Sequence, residues 1–152
     1  MAVIDESTFI PRSPQEVFDY TSRPEHFPTW DASILEAEQV TEGQPAVGTR
    51  VRGVSKILGR RFTWVTEFVE FTPPSRVVSK SVEGPMRFTI TQTVEPEERG
   101  SRFTWHADVD PGLGGVFGKL ADPLVEKAQA RTVRNNLETL AEVLTEHRDS
   151  EV

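Results

Sequence analysis

The sequence predicts an α+β domain: a curved antiparallel sheet of seven strands, one long C-terminal helix covering its buried face, and two short helices after the first strand. Three observations carry this. Six strand-like runs follow one another between residues 34 and 110, separated only by short turn signals. After Asp122 a single apolar stripe at helical spacing continues to about residue 147. The first thirty residues read as one strand followed by two helix starts. A sheet with one buried face needs a long amphipathic element to cover it, and the C-terminal helix is the candidate.

Taken in order, residues 3–10 form the first strand, which Pro11 ends. Ser13-Pro14-Gln15-Glu16 is a capping box with proline at the first helical position, and Val17, Phe18 and Tyr20 give that helix an apolar side. A second helical turn is expected over 23–27, introduced by Ser22 and stopped by Pro28. Strands are expected at 34–41, 49–58, 61–72, 76–82, 86–95 and 101–110. The breaks between them are Glu42-Gly43-Gln44-Pro45, Gly59, Pro73-Pro74-Ser75, Glu83-Gly84-Pro85 and the 95–100 turn. Connections this short make neighbours antiparallel, so the six strands form a meander. In 86–95, Met86, Phe88, Ile90, Gln92 and Val94 oppose a Thr- and Arg-bearing face. In 101–110, Phe103, Trp105, Ala107 and Val109 do the same. The 61–72 run is apolar on both faces, which leaves its register open. Asp122-Pro123 caps the long helix, whose stripe runs Leu124, Ala128, Val133, Leu137, Leu140, Leu144.

At 152 residues the chain has the length of a single domain, 1–152, able to bury its own core. Hydrophobic residues are 36% and charged residues 27%, the balance of a soluble protein. No run approaches the ~18 apolar residues of a membrane span, and the N-terminus has no signal pattern, so a cytoplasmic protein is expected. Without cysteine there is no disulfide, thiolate metal site or Cys nucleophile. A net charge of −7 argues against nucleic acid and anionic membrane surfaces as partners.

With this element order, the sequence resembles the START-like, polyketide cyclase/dehydrase (SRPBCC) superfamily of the helix-grip fold. The residues that carry the resemblance are Ile10 to Phe18 (IPRSPQEVF), Trp30 after the helix pair, Val47-Gly48-Thr49, Glu70-Phe71-Thr72-Pro73-Pro74-Ser75-Arg76, Gly84-Pro85-Met86, and the helix through Leu137–Leu144. The resemblance spans essentially the whole chain. It implies a cavity between sheet and helix that takes a hydrophobic small molecule: a lipid, an isoprenoid, or an aromatic or polyketide-like compound. It leaves two alternatives, a polyketide cyclase, aromatase or dehydratase using cavity acid/base residues, and a co-chaperone-like interaction domain with a filled core. Fold analogy does not choose among them.

The expected ligand contacts are Trp30, Trp64, Phe68, Phe88, Ile90, Gln92, Trp105, Phe117, Leu124 and Val133, with indole N–H groups as isolated polar anchors. Glu6, at inward parity on the first strand, and His26, beside the Pro28–Trp30 segment, are the candidates for acid/base chemistry. Arg131 and Arg134 either orient a ligand carboxylate or phenolate at the cavity mouth or are simply solvated. P-loop, GxSxG and HExxH signatures are absent, and Gly112 to Gly118 lacks the βαβ setting of a dinucleotide site, so no cofactor is expected. That glycine-rich segment reads as a connection or as a mobile lid carrying Phe117. His26, His106 and His147 stand too far apart in sequence to suggest a metal site.

Overall fold

A computed structural model describes residues 2–110 and 123–150, so the segment expected as a lid, Phe117 included, lies outside the described residues. The elements run β1 (Ala2–Ile10), α1 (Pro14–Thr21), a 3-10 turn (Pro24–His26), α2 (Phe27–Trp30), β2 (Ile34–Gln39), β3 (Arg50–Ile57), β4 (Arg60–Thr72), β5 (Arg76–Glu83), β6 (Arg87–Glu97), β7 (Gly100–Asp110) and α3 (Pro123–Ser150). All seven strands form one antiparallel sheet in the order β1-β7-β6-β5-β4-β3-β2. The six later strands are therefore the expected meander, and β1 adds to its far edge against β7. The sheet curls as a half-barrel with α3 packed on it, the helix-grip arrangement.

Two local features differ from the sequence expectation, and a third settles a register the sequence left open. Pro28 does not stop a helical turn; it sits in the first turn of α2. A proline is tolerated there because the missing N–H would have had no intrahelical partner. β2 ends at Gln39, two residues before the expected end; the Val40 amide still donates to the Arg50 carbonyl (2.9 Å), and the Gln39 side-chain amide then donates to the carbonyls of Thr41 (2.8 Å) and Gly43 (2.7 Å) in the turn. The two-faced apolar pattern of β4 reflects a bulge. Phe68 pairs with Ser79 and Glu70 with Val78, so the ladder steps over Val69, which is 46% exposed. One extra residue reverses the parity. Phe68 and Phe71 consequently both turn inward, their rings stacked with centroids 5.7 Å apart.

The space between sheet and α3 is filled at one end and open at the other. At the filled end Ile10, Phe103, Leu137 and Leu140 are wholly buried, joined by Val17, Phe18, Val94 and Leu144. Moving along β7 from Phe103 to Trp105, Ala107 and Val109, and along α3 from Leu137 back to Val133, the same inner faces border a cavity.

Candidate functional site

The cavity has a volume of about 160 Å³ and an apolar wall. β3, β4 and β5 contribute Ile57, Phe62, Trp64, Phe68 and Val77; β6 and β7 contribute Phe88, Ile90, Gln92, Trp105, Ala107 and Val109. Phe27, Trp30 and Asp31 close it from the α2 segment, and α3 presents Glu126, Gln129, Thr132, Val133 and Asn136. The wall on β6 and β7 follows from pairing: Gln92 stands opposite Trp105 and Ile90 opposite Ala107, which puts all four on the inner face.

Trp64 owes its position to a glycine. A Cβ built on Gly53, its cross-strand partner on β3, would lie 2.2 Å from Cζ2 of the indole. The ring therefore rests directly on the β3 backbone. Its N–H donates to Ser55 Oγ at 2.8 Å, so it is not the free anchor expected of it. The Trp30 indole N–H is buried without a hydrogen-bond partner among the described residues, its ring set edge-on to Phe103 with centroids 6.0 Å apart.

Asp31 is the buried acid of the cavity wall. Its Oδ1 accepts from the Ser33 amide (2.9 Å), the Ser33 hydroxyl (2.7 Å) and the Asn136 side-chain amide (3.1 Å). Asn136 Oδ1 in turn accepts from the Ala32 amide at 3.2 Å, which ties α3 to the segment after α2. Burial pushes the Asp31 carboxyl above the ordinary aspartate range, while the hydrogen bonds from Ser33 and Asn136 pull it back. The Ile34 amide also donates to the carboxyl, and the residue lines the cavity.

Of the expected contacts, Trp30, Trp64, Phe68, Phe88, Ile90, Gln92, Trp105 and Val133 all border the cavity. Leu124 does not: in the first turn of α3 it is 77% exposed, because the helix begins burying its stripe further along. Neither acid/base candidate lies on the wall. Glu6 is on the inner side of β1 but pairs with Arg134 Nε of α3 at 2.5 Å. That pair also engages the Arg134 side chain expected at the cavity mouth, and Arg131 is exposed. His26 Nδ1 donates to the Tyr20 carbonyl at 2.9 Å, and its ring stacks on Tyr20 at 4.1 Å. The sequence reading passed over Asp31. Its one local signal is Asp-x-Ser, a side chain that can accept from the amide two residues on; burial against Asn136, 105 residues away, leaves no mark in the sequence.

Comparison with known proteins supplies the wider setting. The model of a family described as polyketide cyclase / dehydrase and lipid transport matches residues 1–145. An uncharacterised protein of Mycobacterium tuberculosis (strain H37Rv) is 27% identical over 141 residues, covering 91% of this chain and 92% of its own. The crystal structure of an aromatase/cyclase from Streptomyces sp. R1128 superposes with a TM-score of 0.77 at 14% identity, over 94% of this chain and 93% of that one. A START superfamily protein from Mycobacterium smegmatis gives a TM-score of 0.75 at 14% identity, over 96% and 99%. At these identities the likeness is one of fold.

Proposed function

Because the chain belongs to the polyketide cyclase / dehydrase and lipid transport family, we propose that it binds one hydrophobic small molecule, of the lipid, isoprenoid or aromatic class, between the sheet and α3. The observation that carries this is the cavity of about 160 Å³ walled by Trp64, Phe68, Phe88, Ile90 and Trp105 while the other end of the same interface is close-packed. Burying apolar ligand surface yields ~25 cal/mol per Å², so a ligand contributing ~300 Å² gains about 7 kcal/mol before the costs of association, consistent with micromolar affinity. A filled core, which a co-chaperone-like role requires, does not fit this interior. A cyclase or dehydratase needs a converging acid and base. Among the described lining residues the ionisable groups are Asp31 and Glu126 alone, which favours binding over turnover.

Trp30, Trp64 and Trp105 all border the cavity, so the test is titration of tryptophan emission with long-chain lipids and polycyclic aromatics. A saturable change in emission is expected, and Trp64→Ala should weaken it by about 1–3 kcal/mol. Emission that no such compound alters in the folded protein would sink the proposal.

A further inference from the structure

The cavity wall carries a sign. Among the described residues that line it there is no Arg, Lys or His, and its two ionisable groups are both acids, Asp31 and the half-buried Glu126. The arginines of α3 nearest in sequence are directed elsewhere: Arg134 is held by Glu6 and Arg131 is exposed. Within this wall Asp31 is held by donors alone, the Ser33 amide and hydroxyl, the Asn136 side-chain amide and the Ile34 amide, and no described cation pairs with it. We infer that the ligand's polar end is an uncharged hydroxyl, as in an alcohol or phenol, hydrogen-bonded to the Asp31 carboxyl, and that the cavity discriminates against carboxylates and phosphates.

The chemistry is direct. A hydroxyl both donates and accepts, so it pairs with Asp31 as a carboxylate, by donating, or as a carboxylic acid, by accepting. An anionic head group can only accept. Against the carboxylate it meets a like charge, and against the protonated acid its own charge is still taken out of water, with no described lining side chain of opposite sign to offset either cost. The inference rests on the proposed ligand binding and specifies its selectivity.

The experiment is displacement of the neutral fluorescent probe 1-aminoanthracene by 1-decanol and by decanoate at pH 7.5, on the wild type and on Asp31→Asn. In the wild type decanol should displace the probe at a concentration at least tenfold below that of decanoate. Asp31→Asn, checked for folding by circular dichroism, should narrow that gap at least threefold, since the amide keeps the shape and removes the charge. Decanoate competing as well as decanol in the wild type would overturn the inference, and that arm decides even where the variant does not fold. An unchanged gap in a folded variant would overturn the role of Asp31. A probe that never binds would bring down the cavity reading itself, and this inference with it. That result is distinct from a probe that binds and is displaced without discrimination.

Discussion

Gly53 and Trp64 form a unit in which the absence of a side chain positions the largest one. Gly53→Ala would put a methyl group 2.2 Å from the indole carbon Cζ2, closer than any carbon pair tolerates, so the ring must move off β3 and lose its bond to Ser55. Overpacking of this kind costs about 1–3 kcal/mol. We expect lower thermal stability together with a shifted tryptophan emission, and a variant that keeps both unchanged would contradict the packing described. On the outer face, His106 lies between Asp5 (2.8 Å) and Asp108 (3.2 Å). The Asp5 hydrogen bond, opposed by partial burial and aided by the charge of Asp108, raises its pKa above the ordinary histidine value. A pKa raised by folding means that the protonated form is preferred in the folded state. The resulting stabilisation is complete below the unfolded pKa of ~6.5 and is lost as pH rises through the folded value. The stability gap between wild type and Asp5→Asn, on the order of 0.2–1 kcal/mol for a surface pair, should be widest below pH ~6.5 and close above it; NMR titration of His106 gives the pKa directly. A gap that widens with pH would refute the assignment.

At the scale of elements, Arg12 joins pieces that are distant in sequence. Its Nε donates to the Leu144 carbonyl at 3.0 Å, its Nη1 pairs with Glu16 at 2.7 Å, and its own carbonyl accepts from Ser101 Oγ at 2.7 Å. The start of α1 and the C-terminal turns of α3 thus meet on the buried Arg12 side chain, and the start of β7 on its backbone carbonyl. The capping box expected at Ser13 is present in a modified form: Ser13 Oγ accepts from the Glu16 amide at 3.2 Å and donates to the Glu16 carboxylate at 3.1 Å. Burial alone would raise the Glu16 pKa, but the Ser13 and Arg12 bonds bring it below the usual carboxylate range. Arg12→Ala should cost about 1.5–3 kcal/mol, the range for hydrogen bonds to a charged group. The loss should show as faster amide exchange in the last turns of α3 around Leu144. Exchange that rises evenly over the whole chain would instead mean that Arg12 does not anchor α3 locally.

For the whole molecule, one sheet–helix interface is unevenly filled. The close-packed end, around Ile10, Phe103, Leu137 and Leu140, supports the fold, and the open end around Trp105 and Val133 leaves room for a guest. A ligand that binds only the folded chain adds about 2.7 kcal/mol at a hundredfold excess over Kd. At a chain length of 152 residues this corresponds to roughly 5–10 °C in Tm. The polycyclic aromatic that alters tryptophan emission most should produce that shift in a thermal scan, and Trp64→Ala should reduce it. A compound that changes emission and leaves Tm fixed would not be occupying the folded cavity.

The sequence by itself determined what is local or periodic. Period-2 alternation placed Phe88, Ile90, Gln92 and Trp105 on one face, Ser13 to Glu16 marked the start of α1, and short turns dictated a meander, because each of these depends on neighbours a few residues apart. Eight of the residues expected as ligand contacts border the cavity. The tertiary structure decided what depends on long-range partners. The bulge at Val69 is a property of how β4 meets β5, and the satisfied N–H of Trp64 depends on Ser55 across the sheet. Glu6 shares parity with the cavity residue Ile4 on β1 but pairs with Arg134 over a separation of 128 residues. Asp31 became the buried acid only once Asn136 of α3 came to lie against it. The physical reason is that a side chain's direction is set by backbone geometry, which the local sequence encodes, whereas its burial, its partners and its protonation are set by whatever the rest of the chain brings alongside.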